Sequence, residues 1–123
     1  MTDKQILVPS ADHPITVERH PGRISVSVAG QTIGATTEAL TLREASYPPV
    51  HYVPRKDVDM SALTRTDHQT YCPYKGDCSY YSIETADGTL TNAVWTYEQP
   101  YASVAEIGGY LAFYPDRVDL VEE

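Results

Sequence analysis

The stretch Ser79-Tyr80-Tyr81-Ser82-Ile83-Glu84-Thr85-Ala86-Asp87-Gly88-Thr89-Leu90-Thr91-Asn92-Ala93-Val94-Trp95-Thr96-Tyr97-Glu98 decides the fold. Two runs rich in β-branched and aromatic residues flank Asp87-Gly88. An Asp-Gly pair in that setting predicts a β-hairpin, because both residues tolerate positive φ. Trp95 and Tyr97 then share one face of the second strand, and Val94 and Thr96 the other. Upstream, Arg23-Ile24-Ser25-Val26-Ser27-Val28 alternates apolar and polar residues, the period of a half-buried strand. Gly30 turns it into Gln31-Thr32-Ile33-Gly34-Ala35, a second hairpin. Ile15-Thr16-Val17 and Leu40-Thr41-Leu42 repeat the pattern in shorter form, and Val50-His51-Tyr52-Val53 is closed by Pro54, which cannot donate to a ladder. Asp57 is expected to cap a single helical turn over 57–63. Downstream, Ser103-Val104-Ala105-Glu106 fits a capping box, so one short helix is predicted near 103–108, ended by Gly108-Gly109. Residues 110–114 and 117–121 add two more strands. The expectation is a mainly β chain, one sandwich- or barrel-like domain over 1–123 with about eight short strands.

Composition bounds the function. Lys and Arg number 9 against 17 Asp and Glu, a net charge of −8. Such acidity argues against nucleic acid as a partner, which calls for a basic stripe. No apolar run approaches the roughly 18 residues of a membrane span. The longest early run, Ile6-Leu7-Val8, is too short for a signal-peptide core, which makes the cytoplasm the expected compartment. Two cysteines are too few for a disulfide scaffold or a four-cysteine zinc site. The aromatics are ten Tyr with one Phe and one Trp, all at or beyond Tyr47. Tyrosines must therefore supply much of the core's bulk, each bringing a hydroxyl that wants a partner.

The segment 68–81 is chemically dense: His68-Gln69-Thr70-Tyr71-Cys72-Pro73-Tyr74-Lys75-Gly76-Asp77-Cys78-Ser79-Tyr80-Tyr81. It reads as a loop carrying reactive side chains. Cys72 is the candidate catalytic residue, a nucleophile if Lys75 or His68 lowers its pKa; the alternatives are a packed thiol and a disulfide with Cys78, which a cytoplasmic setting disfavours. His68-x3-Cys72-x5-Cys78 matches no zinc spacing, and no metal is expected. Lys75 either holds an anionic ligand, with Gly76 permitting close approach, or points into water from a turn. Arg55 either clamps a carboxylate or phosphate or pairs with Asp57 or Asp59. His13, His20 and His51 have no supporting pattern and read as structural.

Four segments in combination carry a resemblance: Pro48-Pro49-Val50-His51-Tyr52-Val53-Pro54-Arg55-Lys56-Asp57-Val58, the pentad Cys72-Pro73-Tyr74-Lys75-Gly76, Trp95-Thr96-Tyr97-Glu98-Gln99-Pro100, and Tyr110-Leu111-Ala112-Phe113-Tyr114. Together, over roughly 23–119, they resemble the bacterial family called domain of unknown function 427. The resemblance implies a small, mostly β domain, alone or in tandem, of β-tent-like fold and without established activity. The Cys-x-x-Cys pairs of zinc-holding β-tents are missing here. Cys78 stands where the family usually has a small residue such as Ala, so the two thiols are not a family-wide pair. The family is sometimes labelled nucleotidyltransferase-like. Such enzymes hold Mg²⁺ on paired carboxylates behind a Gly-Ser turn. Asp57-Val58-Asp59 has the carboxylate spacing, but Pro54-Arg55-Lys56 before it supplies neither Gly nor Ser.

Two functional readings follow. In the first, a pocket binds a small anionic or planar ligand. Arg55, His68, Thr70, Tyr74, Lys75, Tyr80, Trp95 and Tyr97 line it and Cys72 is its reactive group. In the second, the domain is a non-catalytic structural or interaction module, such as a homodimer, and the pentad is a turn whose tyrosines satisfy buried backbone. The residues themselves name no cofactor and leave open whether the domain is an enzyme.

Overall fold

The computed structural model describes residues 4–123. It contains ten strands: β1 (Ile15–Arg19), β2 (Ile24–Val28), β3 (Gln31–Thr36), β4 (Leu40–Glu44), β5 (Val50–Tyr52), β6 (Leu63–Cys72), β7 (Gly76–Thr85), β8 (Gly88–Thr96), β9 (Leu111–Phe113) and β10 (Asp119–Glu122). They form three antiparallel sheets, ordered β1-β4-β5, β10-β2-β3 and β6-β7-β8-β9. The mainly β, sandwich-like expectation holds, although the strands number ten and the sheets do not close into a barrel.

The four-stranded sheet organises the molecule because its side chains feed two cores. Tyr81, Ile83, Val94, Leu111 and Phe113 pack with Val26, Val28, Ile33 and Val118 in the first. Cys78, Tyr80, Tyr97 and Ala112 pack with Leu42, Tyr52, Val104 and Ile107 in the second. Trp95 packs against that second core while Val94 is in the first, which is the face division read from the alternation. Isolated bridges add to the sheets: Val53 pairs with Leu111 of β9, and Gly34 of β3 pairs with Val58 in the connection between β5 and β6. Val53 therefore lies just outside β5, bonded to Leu111 in both directions at 2.8 Å.

Both predicted hairpins form, with a shift of turn in the decisive one. Ala29 (φ 51°) and Gly30 (φ 79°) make the tight β2–β3 turn, where both central residues are left-handed. Between β7 and β8, Thr85 pairs with Gly88, so the turn is Ala86-Asp87 and Gly88 alone takes positive φ, at 124°. The Thr85 hydroxyl accepts from the Asp87 amide at 3.1 Å and donates to the Gly88 carbonyl at 2.6 Å, which fixes this register.

Three local expectations change. The helix near 103–108 is a pair of 3₁₀ turns over Ala102–Ile107, broken at Val104 (φ −130°), and its N-cap Tyr101 makes no side-chain cap bond. Val104 and Ile107 are both buried in the second core. The turn over 57–63 becomes two 3₁₀ turns, Arg55–Asp57 and Met60–Ala62. The second is capped by Asp59, whose carboxylate accepts from the Ser61 amide. Asp57 instead accepts from the Thr36 hydroxyl at 2.7 Å. Finally, the segment 68–81 is mostly strand: β6 ends at Cys72 and β7 starts at Gly76. β6 is an edge strand exposed on both faces over most of its length, so it shows no period of two.

Candidate functional site

The pentad is the β6–β7 turn. Cys72 pairs with Gly76, leaving Pro73-Tyr74-Lys75 as the loop, closed by the Lys75 amide donating to the Cys72 carbonyl at 3.2 Å. Gly76 sits at φ 109°, a conformation that a side chain disfavours. The turn aims Lys75 inward: the residue is only 9% exposed, and its ammonium donates to Glu44 Oε1 at 2.5 Å. Glu44, at the end of β4, bonds His13 Nε2 through its other oxygen at 2.7 Å. Tyr74 stacks flat on His13, centroids 4.1 Å apart. Tyr74 and Lys75 thus both converge on Glu44, one through an imidazole and one directly. Burial opposes ionisation of Glu44, but the bonds from Lys75 and His13 outweigh it and hold the carboxyl below its ordinary range.

The Lys75–Glu44 pair stands in the wall of a cleft of about 730 Å³. Pro48, Pro49, Val50, Trp95, Phe113, Pro115 and Leu120 give it apolar walls, Cys72 lies beside the pair, Tyr47 contributes an exposed ring, and His51 and Glu122 add a second polar group. Trp95 is oriented by its indole N–H, which donates to the Tyr52 hydroxyl at 3.3 Å, and by the Tyr114 ring at 4.5 Å. The volume falls within the range of small-molecule sites, as does the combination of apolar walls with a few polar groups.

Of the residues singled out in the sequence, Cys72, Lys75 and Trp95 meet in this cleft. The others do not line it. Arg55 donates to the Tyr81 hydroxyl at 3.0 Å and faces Glu98 at 4.0 Å. His68 rests on the Tyr80 ring, and Thr70 bonds the Tyr80 hydroxyl at 2.9 Å. Tyr97 is buried beneath Lys75, whose ammonium lies 5.9 Å from the ring centroid. Burial pushes the Tyr52, Tyr80 and Tyr97 phenols well above their ordinary range, so these hydroxyls act as neutral hydrogen-bonding groups. Burial also raises the Cys78 thiol. Both cysteines are free thiols.

The reading from sequence missed Glu44, His51 and Glu122. His51 Nε2 lies 3.2 Å from Glu122 Oε1, and His20 Nδ1 approaches the same oxygen at 4.0 Å. No linear spacing announces them: pairing joins β4 to β5, but only the packing of their sheet against the one that holds β10 brings all three strands to one cleft. Pro48-Pro49 and His51 did lie inside a run that carried the family resemblance. The carboxylate pair of the nucleotidyltransferase label is engaged elsewhere: Asp57 by Thr36, and Asp59 as a turn cap.

The fold and cleft define a small β domain with an apolar cavity bordered by a buried lysine–glutamate pair. Its family is equally definite: the chain belongs to the Domain of unknown function (DUF427) family, whose model matches residues 16–123. The match reaches past 23–119 at both ends and takes in β10 and Glu122. No curated protein matches the chain. Among the described residues, no helix is long and apolar enough to cross a membrane.

Proposed function

We propose that the cleft is a binding site for a small planar, largely apolar molecule that carries a polar group. The observation that supports this is the convergence of Trp95, Cys72 and the Lys75–Glu44 pair in one concavity of about 730 Å³. A flat ligand would lie against Trp95 and Phe113, with its polar end toward Lys75 and Glu44. A strongly anionic ligand fits less well, because Glu44 already neutralises Lys75 and Glu122 adds a further negative charge at the wall. The reading is of binding rather than catalysis. The two cations named as activators of Cys72 are engaged elsewhere, Lys75 by Glu44 and His68 on Tyr80. Arg55, being outside the cleft, belongs to no part of the proposed site.

Trp95 is the chain's one tryptophan, so emission excited at the red edge of the absorption band, where the ten tyrosines do not absorb, reports on this cleft. Planar aromatic compounds bearing hydroxyl or amide groups should shift or quench that emission. Lys75→Met should weaken the response at least about tenfold, the loss of a charge-assisted hydrogen bond. Binding that leaves the emission unchanged, or is indifferent to Lys75→Met, would overturn the reading.

A further inference from the structure

We propose that His20, His51 and Glu122 form a site for one divalent first-row transition-metal ion, with Zn²⁺ the ion that the donor set fits best. This stands apart from the ligand reading above, since it needs only these three side chains. His20 follows β1, His51 lies in β5 and Glu122 in β10, and their donor atoms all fall within 4.8 Å of one another. Two imidazoles and one carboxylate make a three-ligand zinc set that leaves a fourth position open. In a tetrahedral site with bonds of about 2.0–2.2 Å, ligand atoms stand roughly 3.3–3.6 Å apart. His51 Nε2 and Glu122 Oε1 are already 3.2 Å apart, and His20 Nδ1 is 4.0 Å from that oxygen.

The surroundings favour closure. His51 Nδ1 lies 2.8 Å from the buried Thr41 hydroxyl. With Nδ1–H donating there, the Nε2 lone pair faces Glu122, the kind of outer contact that orients metal-binding histidines. His20 Nε2 is buried with no hydrogen-bond partner, so its ring can swing Nδ1 inward without breaking a bond. The rings sit edge to face at 5.1 Å and are mostly buried, whereas the Glu122 side chain is 56% exposed and free to adjust. The backbone holds Glu122 in place: Arg23 and Glu123 exchange hydrogen bonds at 3.1 and 2.8 Å, and Gly22 allows that contact, since a Cβ there would meet the Glu123 carbonyl oxygen at 1.7 Å. A simple ion pair needs one imidazole; here two are directed at one carboxylate oxygen. Because His51 and Glu122 line the cleft, the open coordination position would face it.

The test is calorimetric titration of the full chain with Zn²⁺ alone, together with Co²⁺ absorption spectra. The expected result is one ion per chain, with affinity lowered at least about tenfold by His51→Ala and by Glu122→Gln and unchanged by Cys72→Ala. Glu122→Gln alters an exposed side chain, so it remains informative if His51→Ala fails to fold. Cobalt should give visible ligand-field bands without a thiolate charge-transfer band. No zinc binding at micromolar concentration, binding indifferent to Glu122→Gln, or a thiolate band lost with Cys72→Ala would each overturn the proposal. The two metal ions are the only probes, so a cleft that takes no organic ligand leaves this result unaffected, and the reverse also holds.

Discussion

The Lys75 ammonium lies 2.5 Å from Glu44 Oε1, and both side chains are nearly withdrawn from water, at 11% and 14% exposure. A pair in this position does little for net stability, yet it is costly to break on one side, because the remaining charge stays buried without a partner. Glu44→Gln should therefore cost about 3 kcal/mol or more. The paired replacement Glu44→Leu with Lys75→Met should return to within about 1 kcal/mol of the original, since hydrophobic isosteres often match such pairs. Urea unfolding of the three proteins checks this. A Glu44→Gln protein of unchanged stability would mean that the pair is solvated and fixes nothing in the cleft.

The same carboxylate sets an acid limit. Glu44 has a lower pKa folded than unfolded, where its ordinary value is 4.5. A depressed carboxylate contributes stability that is complete above the unfolded value and is lost as the pH falls through the folded one. The stability difference between the original chain and Glu44→Gln should thus shrink steadily as the pH falls below about 4.5. Glu98, held low chiefly by its bonds from Arg65, should keep contributing an acid slope in both proteins. A difference that stays constant down to pH 3, about one unit or more below the ordinary carboxylate range, would place the depression elsewhere.

Turn chemistry separates an apparent cap from a real one. Ser103 and Glu106 have capping-box spacing, yet the 3₁₀ turns at Ala102–Ile107 start from Tyr101 without a side-chain bond. Asp59 accepts from both the amide and the hydroxyl of Ser61, at 3.1 and 2.5 Å. Ser103→Ala should change stability by less than about 0.5 kcal/mol, and Asp59→Ala should cost about 1 kcal/mol. Thermal melts that reverse this order would restore the capping box.

These cases mark where the sequence is legible. The Asp87-Gly88 hairpin and the Trp95/Val94 division of faces could be read because turn residues and a period of two act over a few neighbours. β6 could not, because an exposed edge strand has no buried face to impose alternation on Thr64, Arg65, Thr66 and their neighbours. The pentad stood out in the sequence, but its partner Glu44 lies 31 positions away and is joined to it only by packing. Arg55 looked like a ligand clamp from its place after a strand, whereas Tyr81 and Glu98 take its guanidinium. His51 and Glu122 meet through two different sheets, a relation that no spacing encodes.

Gly76 is where the pentad's backbone and its chemistry join. A Cβ there would find room, its nearest neighbour being the Gln99 carbonyl oxygen at 3.6 Å, so the cost of Gly76→Ala is the positive φ of 109°. That should lower stability by roughly 1–3 kcal/mol. It should also disturb the neighbouring Lys75, whose carbonyl accepts from Tyr101 at 3.0 Å. A crystal structure of Gly76→Ala should show a lengthened Lys75–Glu44 contact. A variant of full stability with that contact intact would mean that the turn tolerates a side chain.

The two thiols should separate cleanly in reactivity. Cys72 lies in the cleft wall, partly exposed, while Cys78 is 1% exposed with its thiol raised by burial. Only the thiolate reacts with alkylating agents, and only where the reagent can reach it. The native protein treated with N-ethylmaleimide should therefore gain one adduct, on Cys72, and a second only after unfolding. Intact-mass measurement followed by peptide mapping reads this directly. Because the adduct fills space beside Lys75 and Trp95, it should also abolish the Trp95 emission response to planar ligands. A labelled protein that still responds would move the ligand out of this cleft, and rapid labelling of Cys78 in the folded chain would mean that the second core opens far more readily than its packing implies.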